Sequence, residues 1–168
     1  GGQVFAVATR QMRIASGYNT SIFYGDIVSR IADGTIAKEA GTTSVAATGV
    51  VGVFLGCSYI NTATNQPTFS QYFPANTTVT SGFITAFVAD DPDQLFQVAV
   101  VSSTTVIAGL QYTDIGLNSA LVQNAGVTTS GNSQVAILQA AATTSTLPMR
   151  IVDVVPDTSY VTSGTTYF

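Results

Sequence analysis

The chain has 168 residues with five basic and nine acidic side chains, a formal net charge of −4 and no histidine. Only 8% of it is charged and 46% is hydrophobic, where an ordinary soluble domain carries about 25% charged residues. Histidine is the commonest acid/base group near neutral pH and the commonest metal ligand, so its absence removes most hydrolytic, proton-shuttling and zinc-dependent mechanisms. The basic residues Arg10, Arg13, Arg30, Lys38 and Arg150 are scattered and form no stripe that would neutralise phosphates, so no nucleic-acid partner is expected.

No stretch approaches the roughly 18 uninterrupted apolar residues of a membrane span. The mean hydropathy of +0.37 is therefore read as Val, Ala, Ile and Phe spread through strands, with no membrane partner expected. Cys57 is the single cysteine and cannot form an intrachain disulfide, which points to a reducing compartment and to stability from packing. At 17.3 kDa the chain reads as one β-rich domain spanning residues 1–168.

The apolar pattern alternates with a period near two almost throughout. Val4 to Ile14 reads as one long strand, with Phe5, Val7, Thr9, Gln11 and Arg13 on one face, ended by Ser16-Gly17. Ser21 to Val28 is β-branched and aromatic, interrupted at Gly25-Asp26, and Asp33-Gly34 signals a hairpin between Val28–Ile31 and Thr35–Ala37. Gly49 to Ile60 is the most apolar stretch and reads as a buried central strand whose glycines admit a neighbouring backbone. Thr68 to Phe73, Phe83 to Ala89 and Leu95 to Val101 continue the series, with Asp90-Asp91-Pro92-Asp93 as a charged corner. Leu117 to Gln123 fits a short helical turn, a loop or a strand equally well. Gln134 to Leu138 and Met149 to Val155 read as strands, joined by the Ala/Thr/Ser run from Ala140 to Thr146. The expected fold is all-β: a single-domain antiparallel β-sandwich or barrel, jelly-roll-like, with long loops.

Little in the chain points to chemistry. Gly49, Gly52 and Gly56 lie within an apolar strand without the lysine and helix of a phosphate loop. Asp90, Asp91 and Asp93 are close together, but the segment lacks the alternating oxygen ligands and terminal Glu of a calcium loop and reads as a solvated turn. Glycosidases need only two carboxylates, so Asp26, Asp33, Glu39, Asp114, Asp153 and Asp157 stand with that cluster as candidates. Most sit at expected turns, and no Trp is present to stack on a sugar. Cys57 has no histidine to activate it and reads as a buried, inert thiol. No catalytic residue, cofactor or metal is expected.

Ile14 to Val28, ending in Gly25-Asp26-Ile27-Val28, is followed by the Asp33-Gly34 hairpin, Val51-Gly52-Val53-Phe54-Leu55-Gly56-Cys57 and Tyr72-Phe73-Pro74-Ala75. Ala89 to Gln97, the loop Gly126 to Val135 and Leu147-Pro148-Met149-Arg150-Ile151-Val152 come after. In that order and spacing the chain resembles the capsid decoration, or cement, proteins of tailed bacteriophages, over nearly its whole length. It departs from the family in lacking an N-terminal arm before Gly1 and a final C-terminal strand after the Tyr-rich segment Tyr160 to Phe168.

The resemblance implies a structural virion protein, made in the host bacterial cytoplasm and bound to the outer surface of the expanded phage head. There it would clamp neighbouring major capsid protein subunits against the pressure of packaged DNA. The low charge agrees with burial against partners, and a homo-oligomer is expected, a trimer before a dimer. Tyr18, Phe23, Tyr24, Tyr72, Phe73, Tyr160, Tyr167 and Phe168 are the candidate interface residues, because aromatic side chains near loops are enriched in interface cores. Core packing is the competing reading of each. A receptor- or glycan-binding head-fibre or adhesin domain, and a hydrolase on a tail appendage, are the other classes left open.

Overall fold

The computed structural model describes residues 9–40, 49–103 and 105–155, together with the backbone of 159–161 and 165–167. The described chain is all-β; its one helical element is a three-residue 3-10 turn at Tyr112–Asp114. The contacts gather the chain into two compact units interleaved along it. Among the described residues the first holds 9–39, 49–96 and 126–133, and the second takes the remainder.

The first unit contains β1 (Thr9–Ile14), β2 (Ile27–Arg30), β3 (Ile36–Lys38), β4 (Val50–Ile60), β5 (Pro67–Ser70) and β6 (Ile84–Ala89). The strands lie in the order β2-β3-β1-β6-β4-β5, and β2 pairs with β4 as well, so five of them close into a ring. The expected barrel is thus realised here, with β5 extending the sheet along the far half of β4. The β1–β3 pairing is parallel, and the others in this sheet are antiparallel. Alternation could not reveal this, because side chains change face every residue in both arrangements.

Closing so small a ring requires sharp bending of β4. Its register shifts between Phe54 and Gly56 against β6, and β2 shifts between Val28 and Ser29 against β4, as bulges at barrel corners do. Ile84, Ala86 and Val88 of β6 face inward with Ile14, Val28, Ile36, Phe54 and Cys57, and Ile22 and Phe73 complete the core. The turn between β2 and β3 covers residues 31–35. Asp33 Oδ1 accepts from the Thr35 N–H at 2.8 Å and from its hydroxyl at 2.7 Å, and Gly34 takes φ +84°. The side-chain bonds and the glycine together hold a wider loop than the two-residue turn that Asp-Gly alone signals.

The second unit contains β7 (Ala99–Val101), β8 (Leu110–Gln111), β9 (Asn118–Ser119), most of β10 (Leu121–Val127) and β11 (Asn132–Leu138), β12 (Met149–Arg150), β13 (Ser159–Val161) and β14 (Thr165–Tyr167). β11 lies between β10 and a parallel β7, β12 pairs with β9, and β14 joins β13 to β8. Val100, Leu110, Ile137, Ile151 and Val154 form its core, and Val101, Val122 and Ala136 form a second cluster. Leu117 to Gln123 resolves into strand, β9 and the start of β10; the helical turn lies upstream, where Asp114 Oδ2 accepts the Gln111 N–H at 2.7 Å. The strand expected from Leu95 shortens to Ala99–Val101, the portion paired with β11, and leaves Leu95 and Phe96 exposed.

Candidate functional site

Two places in the first unit gather side chains beyond packing. The first is an outer sheet face. Register sets Phe69 of β5 beside Ser58 of β4, Ser58 beside Thr85 of β6, and Thr85 beside Arg13 of β1. The neighbouring row runs from Gly56 through Phe87 to Gln11. Since paired residues share a face, this face carries Phe69 at 77% exposure, and the Arg13 guanidinium lies 3.6 Å over the ring of Phe83, itself 61% exposed. Tyr24, Leu55, Phe69, Ser70, Gln71 and Phe87 line a shallow depression of about 480 Å³ with no charged side chain in its lining. A surface of this kind has weak claims on an ionic ligand and strong ones on an apolar partner.

The second place is the mouth of the barrel, where the Gly25-Asp26 break in the sequence falls. Asp26 is wholly buried. Its Oδ2 accepts the Phe23 N–H at 2.9 Å and lies 2.9 Å from Lys38 Nζ, and its Oδ1 accepts the Ser133 hydroxyl at 2.5 Å. Lys38 Nζ also sits 5.7 Å from the Phe23 ring centroid. Ser133 reaches this mouth from the 126–133 segment, whose Gly126 packs directly on the Phe23 ring. On the next residue of the chain, the buried Glu39 accepts the Ser29 hydroxyl, and burial pushes its carboxyl above the usual range.

The aromatic candidates divide between these places and the core. Phe73 is fully buried and Phe23 5% exposed, so both serve packing; Phe23 stacks on the half-buried Tyr72 with centroids 5.3 Å apart. Tyr18 is half-buried, 6.2 Å from Phe73, and its hydroxyl accepts the Lys38 N–H at 3.1 Å. Tyr24 stands 46% exposed at the outer depression. Tyr160 and Tyr167 lie in the paired strands β13 and β14, with side chains outside the described residues, and Phe168 lies outside them altogether. Phe69 and Phe83 were missed among the candidates. The strand expected from Thr68 to Phe73 is Pro67–Ser70 and the one expected from Phe83 starts at Ile84, which leaves Phe83 just outside it; for Phe69, alternation distinguishes two faces without telling which one is covered.

The remaining expectations can be placed as well. Cys57 is 1% exposed and burial pushes its thiol up to about 12. At the Asp corner, Asp91 Oδ1 accepts the Asp93 N–H at 3.0 Å within the turn and Asp90 pairs with Arg10 of β1 at 2.7 Å, so two of the three carboxylates already have protein partners. Among the described residues no group of three or more Cys, Asp or Glu is arranged to hold a metal ion. No described helix is long and apolar enough to cross a membrane. No family model matches the chain, and neither a curated protein nor a solved structure is detectably similar to it.

Proposed function

We propose that this protein is a structural clamp that binds the outer surface of an expanded phage head and holds neighbouring major capsid subunits together. The observation that supports it is the outer face of β5, β4, β6 and β1, where Phe69 is 77% exposed beside a depression whose lining carries no charged side chain and Arg13 is the one charge in the paired rows. Exposed aromatic anchors surrounded by uncharged polar groups are what protein interfaces bury at their centres. A barrel closed by main-chain pairing on all five strands is stiff, which suits a part that must transmit load between subunits rather than change shape. The order of motifs along the sequence supplies the choice of a capsid as partner. The protein acts without catalysis, as a homo-oligomer, with a trimer favoured over a dimer.

The test is a binding titration on expanded heads, unexpanded heads and isolated major capsid subunits. A clamp touching more than one subunit binds expanded heads saturably, at hundreds of copies per particle, and isolated subunits weakly. Equal affinity for a single isolated subunit overturns the clamp.

A further inference from the structure

Lys38 is the only lysine in the chain, and its side chain is 12% exposed against a carboxylate that is 0% exposed. Lysine ordinarily keeps its ammonium in water and lays only its stem on the protein. Here the one available ε-amine is instead turned into the mouth of a barrel. From this geometry we propose that Lys38 and Asp26 condense into an intramolecular isopeptide bond.

The groups around the pair have the positions this reaction needs. Lys38 Nζ lies 2.9 Å from Asp26 Oδ2, an ion-pair contact that holds the amine beside the carboxyl group it would attack, and the Phe23 N–H holds that same oxygen at 2.9 Å. The Ser133 hydroxyl lies 2.5 Å from Oδ1 on the carboxylate's other side. The ammonium passes one proton to Oδ2, and the freed lone pair attacks Asp26 Cγ. Negative charge then gathers on Oδ1, where the Ser133 hydroxyl donates to it. A second amine proton moves to Oδ2, the Cγ–Oδ2 bond breaks and water leaves. The C–N bond, one N–H and the Oδ1 carbonyl remain as a secondary amide. Two buried charges disappear, with the desolvation they impose, and no oxidant or co-reactant is consumed. Ser133 is a positioning residue in this scheme.

The bond would tie the start of β2 to the end of β3 at the open end of their hairpin, so that pulling on either strand loads a covalent link. This inference does not rest on the proposed binding partner; either can fail alone.

The test is the intact mass of the denatured full chain together with its tryptic map. The expected result is a protein one water lighter than its sequence, resistant to trypsin after Lys38, with an ε-amine that takes no amine-reactive label after denaturation. The segment ending at Arg30 should be recovered joined to the one that begins at Ile31. Asp26→Asn should lose one ammonia instead of one water, and Asp26→Ala should have its full mass. A wild-type chain of full mass with a reactive Lys38 overturns the proposal, even if the variants fail to fold. So does a water loss that maps to a succinimide at Asp33-Gly34 while Lys38 still reacts.

Discussion

At Gly52 the backbone of β4 passes so close to the Ala89 carbonyl of β6 that no Cβ fits between them. The contact is backbone against backbone, so no side chain can turn aside to make room. Gly52 also takes φ +154°, at the limit of what a residue with a side chain tolerates. Gly52→Ala is therefore expected to cost about 3 kcal/mol or more, the upper range for overpacking. Gly34 supplies the comparison: its φ is +84° but nothing lies within 4 Å of an added Cβ. Gly34→Ala should cost only the left-handed backbone penalty, about 1–2 kcal/mol. Urea denaturation of the two variants checks the order, and equal losses would mean that Ala89 can move away.

Cys57 should be unreactive in the native protein. It lies at 1% exposure in the barrel core, and burial raises its thiol from 9.0 to about 12. A thiol reagent is expected to label it only at the rate of unfolding, since the thiolate is the nucleophile. The same shift has a sign for stability. The neutral thiol's contribution is whole below pH 9.0 and is lost as pH rises toward about 12. Cys57→Ala should flatten that alkaline limb in part, leaving the share of Tyr59 that comes from its burial and from Tyr72 and removing the part that comes from Cys57. Labelling faster than unfolding would place the thiol at the surface.

What the sequence made legible follows from where information is local. Ile84, Ala86 and Val88 alternate with Thr85 and Phe87, so β6 and its inward face could be read directly. The glycines of β4 announced the close approach that Gly52 makes to Ala89. The barrel mouth was not legible: Asp26 looks like a turn residue, and its hydroxyl partner Ser133 lies 107 positions away. Nor was the outer face, because Phe69 belongs to a strand at the sheet's edge and exposure there depends on which strand is absent beside it. The grouping of segment 126–133 with the first unit, from between stretches of the second, is a property of contacts and not of composition.

Glu39 sets a pH dependence in the acid range. Burial raises its carboxyl above the ordinary value of 4.5, so the folded state binds its proton more tightly than the unfolded state. Its contribution is therefore whole below pH 4.5 and is lost as pH rises through the folded value. Glu39→Gln keeps an acceptor for the Ser29 hydroxyl and removes the desolvated charge. The variant should melt higher than wild type near neutral pH, and the gap should close as the pH falls toward 4.5. A gap that widened on acidification would show that the carboxylate is the stabilising form.

The outer face can be separated from the fold by a single exposed side chain. Phe69 is 77% exposed, so Phe69→Ser should leave unfolding stability within about 0.5 kcal/mol of wild type. If this face meets the capsid, the same change removes a buried aromatic anchor from the complex, and attachment to expanded heads should weaken by about 2 kcal/mol, roughly 30-fold. Tyr112 of the second unit is exposed to a similar degree, at 67%, and offers the matched control. Tyr112→Ser is expected to leave both stability and attachment unchanged, because the proposed contact lies on the first unit. Sedimentation of heads with labelled protein measures all three chains in one series. Loss of attachment in Tyr112→Ser with Phe69→Ser unaffected would move the interface to the second unit, and loss in neither would remove both residues from it.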